Sequence, residues 1–146
     1  MRFSGRFKQN LDVKGRLSVP APLRERLAAE GIDSVVVSAT ERCLEIYTPR
    51  DWDRLVEKFE KLPQQREDVE LYGLFFIDPA VELTIDKQGR VLVPPALRDQ
   101  AQLDKEVMVA GTTGKIQVYG MEVWEQIMEK ARSRFATIRN NLSEDL

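Results

Sequence analysis

An internal duplication constrains this chain of 146 residues more than any other feature of its sequence. The segment Asp12 to Arg24 returns 74 positions later as Asp86 to Arg98, and seven of the thirteen residues are identical. A second set of matches, 72 positions apart, follows in the same order. It pairs Val35, Val37, Thr40, Tyr47, Trp52, Glu57 and Lys58 with Val107, Val109, Thr112, Tyr119, Trp124, Glu129 and Lys130. The chain is therefore expected to consist of two structural repeats of about seventy residues each.

Each repeat begins with a predicted β-hairpin. The first strands, Arg6 to Leu11 and Ala80 to Ile85, run up to an aspartate, and a glycine three positions later permits the positive φ of a tight turn. Arg16 and Arg90 then open the return strands. The proline four positions after each arginine suits the first turn of a short helix.

Two further strands and an amphipathic helix complete each repeat. The strands are predicted at Ser34 to Ser38, Cys43 to Tyr47, Val107 to Ala110 and Lys115 to Tyr119. Apolar residues at helical spacing follow each pair of strands and predict helices that face the core. The two stripes consist of Trp52, Leu55, Val56, Phe59 and Leu62, and of Trp124, Ile127, Met128, Ala131 and Phe135.

These elements divide the chain into a first repeat (1–62), a linker (63–76), a second repeat (77–136) and a C-terminal tail (137–146). A packed linker is expected, because a run of apolar residues in its second half needs burial. The run comprises Leu71, Tyr72, Leu74, Phe75 and Phe76. A unit of this size buries little surface alone, so we expect the hairpin strands to pair with those of the other repeat. The predicted fold class is α+β, with one intertwined pseudo-twofold domain.

The composition excludes several classes of function. The absence of histidine rules out Ser-His-Asp and Cys-His catalysis and metal sites that need an imidazole. The only cysteine, Cys43, lies in an apolar stretch, where we expect a small buried side chain and not a nucleophile. No enzymatic activity, cofactor, metal or small-molecule substrate is therefore expected. No stretch resembles a secretory signal or a membrane span, which predicts a soluble, cytoplasmic protein with no membrane partner.

Positive charge is concentrated at the beginning of the chain. Residues 1–24 contain six bases and one acid, a net charge of +5, whereas the matching residues 75–98 have a net charge of zero. Since the whole chain carries −2, the remaining 122 residues outside the first window sum to −7. A basic patch on an acidic protein favours binding to a polyanion such as double-stranded DNA, because the phosphates are attracted locally. The alternative is that these bases are scattered solubilising charges.

The Asp-x-x-x-Arg element of each turn has two interpretations. The carboxylate and the guanidinium could stabilise the turn, and this is the role that we predict for Asp86, Gly89 and Arg90 in the neutral second repeat. In the first repeat we predict that Arg16 reaches a phosphate or a guanine edge, with Asp12 aiming it. Lys14, beside Gly15, is expected to contact bases or phosphates as well. The remaining predicted phosphate contacts are Arg6, Lys8 and Arg24.

Together these residues resemble the MraZ family, whose members are relatives of the AbrB-like regulators. The resemblance rests on two copies of Asp-x-x-Gly-Arg, each followed by hydrophobic-x-hydrophobic-Pro-x-x-Leu-Arg. It implies a tandem AbrB-like fold in which a swapped-hairpin β-barrel core carries peripheral helices. It also implies that the family's DNA-contacting motif falls on Asp12 and Arg16, with its second copy on Asp86 and Arg90.

The resemblance further implies a nucleoid-associated, sequence-specific transcriptional regulator that forms a homo-oligomeric ring. Such a regulator would recognise tandem repeats near its own promoter, in the division and cell-wall gene cluster. Two alternatives stay open. One is a non-catalytic oligomeric scaffold that binds proteins through its acidic surface, and the other is an AbrB-like antitoxin.

Overall fold

The structure is a computed structural model that describes all residues from 1 to 146. Eight strands and five α-helices form the predicted α+β fold. The strands are β1 (Arg6–Asn10), β2 (Arg16–Ser18), β3 (Ser34–Ala39), β4 (Leu44–Tyr47), β5 (Val81–Thr84), β6 (Arg90–Leu92), β7 (Glu106–Thr112) and β8 (Lys115–Gly120). The helices are α1 (Ala21–Ala29), α2 (Pro49–Glu60), α3 (Glu67–Tyr72), α4 (Pro95–Gln100) and α5 (Met121–Leu142), and a π-helical segment spans Gly73–Ile77.

The two repeats exchange strands, as the sequence predicted. A six-stranded antiparallel sheet has the order β1-β7-β8-β4-β3-β5, so β1 pairs with the second repeat and β5 pairs with the first. Strands β1, β3 and β4 of the first repeat are equivalent to β5, β7 and β8 of the second. Replacing each strand by its equivalent gives the same order read from the opposite edge of the sheet. The register agrees as well, since Phe7 lies opposite Val109 and the equivalent Val81 lies opposite Val37. The fold is therefore a tandem, pseudo-twofold arrangement of two interlocked repeats.

The predicted hairpin of each repeat is wrong in one respect. The turn between β1 and β2 is closed by a hydrogen bond from Asp12 N to Arg16 O, at 3.1 Å, but the two strands then separate. Strand β1 pairs with β7 in the large sheet, and β2 pairs with β6 in a two-stranded sheet. The physical reason is that the backbone groups of both strands find their hydrogen-bond partners in the other repeat.

The core lies between the large sheet and the β2–β6 pair. Leu17 and Val91 are equivalent residues of the two repeats, they lie directly opposite each other in the β2–β6 pair, and each is 1% exposed. On the other side of the core, Glu45 lies opposite its equivalent Gln117 in the β4–β8 pair. These two pairs mark the pseudo-twofold axis. Helices α1 and α4 close the core with Leu23, Leu27 and Leu97, and Ala101, directly after α4, is buried with them.

A smaller apolar cluster forms on the outer face of the large sheet, below α2. Trp52 is buried there, between Tyr47 and Phe76, with ring centroids 5.3 and 5.5 Å away. The carbonyl of Phe76 accepts a hydrogen bond from the Ser38 hydroxyl at 2.6 Å, which ties the π-helical segment to β3. Several apolar side chains that we expected to be buried are instead exposed within one chain. They are Leu71, Tyr72, Leu74 and Phe75.

The last helix differs from the prediction. We expected a tail beyond residue 136, but α5 continues to Leu142 and no residue of this helix is fully buried. Trp124 is half-buried against Tyr119, with ring centroids 5.4 Å apart, although its stripe was predicted to face the core. The cause is geometric, because α5 packs mainly on β7 and β8 and then extends beyond the sheet, where residues 132–142 are exposed. Neither α5 nor any other helix is long and apolar enough to cross a membrane.

The pairing of Leu17 with Val91 predicts a large loss of stability on truncation. Leu17→Ala is expected to lower the free energy of unfolding by about 2–5 kcal/mol, because it opens a cavity on the axis that both repeats share. Denaturant unfolding measures this change. Val13→Ala is the control, since Val13 is fully exposed and its truncation should change stability by less than about 0.5 kcal/mol. Equal effects of the two substitutions would contradict the assignment of the core.

Candidate nucleic-acid interface

The β2–β6 pair forms a two-stranded ribbon whose outer face carries two arginines. Because Leu17 and Val91 point into the core, their neighbours on each strand point outward. Arg16 therefore shares the outer face with Arg90, which lies two positions further along the antiparallel ladder. The two turns, 12–16 and 86–90, consequently lie at opposite ends of the same ribbon.

In the first turn one carboxylate organises both the backbone and the arginine. Oδ1 of Asp12 accepts hydrogen bonds from the backbone N–H groups of Lys14 and Arg16, both at 2.9 Å. Oδ2 of Asp12 accepts a hydrogen bond from Nε of Arg16. Gly15 completes the turn with a φ of 86°, a conformation that favours glycine. The terminal nitrogens of Arg16 contact no acceptor in the protein, so the side chain is fixed at its base and free at its end.

These hydrogen bonds keep Asp12 ionised. The backbone N–H of Arg16 is the largest influence, and together with the Arg16 guanidinium and the N–H of Lys14 it lowers the pKa of Asp12 to about 2. The ion pair with Arg16 therefore persists at any pH well above 2. At neutral pH, where DNA is a duplex, Asp12 is therefore ionised and can hold Arg16 in place.

The second turn repeats this geometry almost atom for atom. Oδ1 of Asp86 accepts from the backbone N–H groups of Gln88 at 2.9 Å and Arg90 at 2.8 Å, and Oδ2 accepts from Nε of Arg90 at 3.0 Å. The N–H of Arg90 is again the largest cause of the lowered pKa of Asp86. Gly89 has a φ of 77°. The two turns therefore share one local design.

One position distinguishes the bonding of the two turns. Gln88 occupies the place of Lys14, and its side-chain Oε1 accepts a hydrogen bond from Nη2 of Arg90 at 3.4 Å. The backbone carbonyl of Gln88 also accepts from Nη1 of Arg24 at 3.0 Å. The arginines of the second turn are thus partly engaged by the turn itself, whereas the end of Arg16 has no such partner.

The structure separates the basic residues that the sequence grouped together. Arg24 does not lie at the first turn, because α1 carries it to the second turn, where it packs on Gly89. Arg6 and Lys8 lie on β1, in the large sheet and not in the ribbon, and Arg6 packs over the ring of Trp124 at 5.1 Å. Of the predicted bases, only Lys14 and Arg16 remain at the first turn.

Sequence reasoning missed one residue of the first turn, Arg98. This residue is the second-repeat equivalent of Arg24, and α4 places its guanidinium over Gly15. The duplication contains the information that would have found it, since each repeat ends its motif with Leu-Arg and the strands were predicted to cross between repeats. With Arg98 at one turn and Arg24 at the other, the charge difference between the sequence windows does not carry over to the folded turns.

No three residues among Cys, Asp and Glu lie close enough together to hold a metal ion. Cys43 is buried, and burial raises the pKa of its thiol.

Comparison with known proteins agrees with the doubled motif. The family model described as "MraZ protein, putative antitoxin-like" matches residues 2–73 and again residues 76–145, once for each repeat. The chain belongs to the MraZ family. Two relatives in this family are 36% and 37% identical to it over 140 residues, from Desulforamulus reducens and Heliobacterium modesticaldum. Each alignment covers 96% of both chains, and each relative is named transcriptional regulator MraZ.

Proposed function

We propose that the chain is a sequence-specific DNA-binding transcriptional regulator that reads DNA through the first turn of the ribbon. The observation that carries this proposal is the Asp12–Arg16 pair, which aims an arginine with free terminal nitrogens away from the protein. Transcription regulation is also what the names of the relatives state of those proteins. It is not an enzymatic activity, and the proposal includes no catalysis and no cofactor.

The shape of the ribbon suits the major groove of B-form DNA. That groove accepts a two-stranded β-ribbon, and an arginine can donate two parallel hydrogen bonds to O6 and N7 of guanine. Arg16 is the proposed base contact, and Lys14 is the proposed contact to a neighbouring base or phosphate. Asp12 and Gly15 set the shape of the turn without providing a positive charge.

The other predicted contacts have different places in the proposal. Arg6 and Lys8 are left out of the interface because their strand belongs to the large sheet. Arg24 is left out because it is bonded to the second turn. For Asp86, Gly89 and Arg90 we retain a structural role, which is supported by the hydrogen bond from Arg90 to the side chain of Gln88.

We further propose that the protein assembles with copies of itself into a ring that binds tandem DNA repeats near its own promoter. In this proposal the promoter belongs to the division and cell-wall gene cluster, and the protein acts at the nucleoid in the cytoplasm. The assembly is supported by two exposed surfaces with opposite charge. One combines Leu71, Leu74 and Phe75 with the acidic start of α3, and the other combines Phe135 and Ile138 with basic residues of α5. Hydrophobic surfaces of this kind favour association between copies.

Arg16→Ala is expected to remove sequence-specific binding while the fold survives. The guanidinium is partly exposed and contributes little to the core, but a base contact of this type is worth about 1–3 kcal/mol, or about 5- to 150-fold in affinity. Fluorescence anisotropy with the chain's own upstream DNA measures the loss, and circular dichroism checks the fold.

Arg90→Ala is the matched control for this substitution, since Arg90 has the same local geometry at the second turn. It should lower the melting temperature or disturb assembly more than it lowers DNA affinity. If Arg90→Ala abolished binding and Arg16→Ala did not, the assignment of the two turns would be reversed. If the wild-type protein showed no salt-sensitive affinity for DNA, a protein-binding scaffold would be favoured.

The proposed assembly predicts a particle larger than a dimer. Light scattering of the purified protein should give a mass well above twice the 16.8 kDa of one chain. Phe135→Glu should reduce that mass, because it places a charge in the exposed apolar stripe of α5. A monodisperse monomer of the wild-type protein at micromolar concentration would refute the ring.

A ring should bind tandem DNA elements most tightly when the spacing of the elements matches the spacing of its subunits. Once one subunit is bound, the next contact is intramolecular, and avidity can rise by about 10²- to 10⁴-fold if the repeats match the spacing of the subunits. Duplexes with one, two and three elements should therefore bind with increasing affinity and with increasingly steep salt dependence. Inserting about five base pairs, half a helical turn, between two elements should weaken binding. Equal affinity for all these duplexes would leave a single-site binder.

A further inference from the structure

Arg98 lies against the backbone of the first turn although it belongs to the second repeat. A Cβ atom added to Gly15 would lie 2.6 Å from Cζ and 2.8 Å from Nε of Arg98, so only a glycine leaves room for this guanidinium. The ribbon supports the same approach, because the N–H of Val93 donates to the carbonyl of Gly15 at 3.1 Å. The guanidinium of Arg98 therefore lies directly against the turn that carries Lys14 and Arg16.

The guanidinium of Arg98 has no acceptor in the protein. Its Nε is completely buried and unpaired, and no carboxylate lies within ion-pair distance of its terminal nitrogens, even though Asp104 lines the same shallow depression. A buried, unpaired donor of a charged group costs folding free energy. The protein thus holds a cation at the first turn without using its charge internally.

Arg24 is the natural comparison, because it occupies the equivalent place over Gly89 at the second turn. Its Nη1 donates to the carbonyl of Gln88 at 3.0 Å, so the turn engages one donor of its guanidinium. The carbonyl that would correspond to this acceptor at the first turn belongs to Lys14, and Arg98 does not bond to it. Neither arginine is paired with a carboxylate, but only Arg98 lacks any hydrogen-bond acceptor in the protein.

We propose that Arg98 binds a phosphate of the DNA backbone next to the base read by Arg16. This inference rests on the proposed function of the first turn. At the first turn Lys14, Arg16 and Arg98 outnumber the carboxylate of Asp12, and the charges of Asp104 and Lys105, which line the depression beside Arg98, offset each other. The unpaired guanidinium of Arg98 is then available to a DNA phosphate. In this proposal both repeats contribute to the DNA-reading first turn. The first repeat supplies the base contact of Arg16, and the second repeat supplies the phosphate contact of Arg98.

The test compares Arg98→Ala with Arg24→Ala in the full-length protein. Binding to the upstream duplex and to an unrelated duplex is measured by anisotropy over a range of salt concentrations. Arg98→Ala should weaken binding to both duplexes by a similar factor and should reduce the slope of log affinity against log salt by about 0.9 for each bound subunit. Arg24→Ala should leave the slope unchanged and lower the melting temperature.

A charge-preserving variant separates a phosphate contact from a packing role. Arg98→Lys should retain the salt slope of the wild-type protein, because the ammonium group keeps the positive charge that releases counterions from the DNA. If Arg98→Ala lowered the melting temperature and left the salt slope at the wild-type value, the inference would be overturned.

The failure of this inference can be distinguished from the failure of the proposed function. If the wild-type protein binds the upstream duplex and Arg16→Ala loses that specificity while Arg98→Ala binds like wild type, only the role of Arg98 is refuted. If Arg16→Ala binds like wild type, the proposed function of the first turn is refuted, and the role of Arg98 is refuted with it.

Discussion

The exchange of strands between the two repeats is the constraint on which the rest of this structure depends. Neither repeat can satisfy the backbone groups of β1 or β5 by itself, since each pairs with a strand of the other repeat. The β2–β6 pair repeats the exchange on the opposite side of the core, where Leu17 meets its own equivalent, Val91. Because this shared core belongs to both repeats, we infer that neither half has a complete core without the other.

The same exchange makes each turn a composite of both repeats. The helix that follows a ribbon strand crosses to the other turn, so Arg24 packs on Gly89 and Arg98 packs on Gly15. The turn therefore cannot be described from its own segment of sequence. Each turn includes an arginine from the other repeat, 83 positions along the chain from Gly15 and 65 positions from Gly89, which the pseudo-twofold fold brings to the turn.

Once the two turns share a backbone, small differences in sequence decide what each can bind. Asp12 and Asp86 hold their arginines with the same set of hydrogen bonds. The side chain of Gln88 gives Arg90 an acceptor that Lys14 cannot give Arg16. The backbone carbonyl of Gln88 also accepts from Arg24, whereas Arg98 does not bond to the equivalent carbonyl of Lys14. The distinction between the turns is thus one of hydrogen bonding, and counting charges along the sequence does not describe it.

The sequence by itself determined the features that depend on local chemistry or on internal comparison. The duplication was found by comparing the chain with itself, and the crossing of strands was predicted because each repeat is too small to bury enough surface alone. The Asp-Gly-Arg turns were predicted because aspartate, glycine and arginine at this spacing have few ways to close a turn. Tertiary structure decided which residues meet: β1 and β2 part after the turn, Arg24 leaves the first turn, Arg98 enters it, and α5 extends beyond the sheet. These outcomes depend on long-range packing, and neither periodicity nor charge composition specifies which surface a distant side chain will reach.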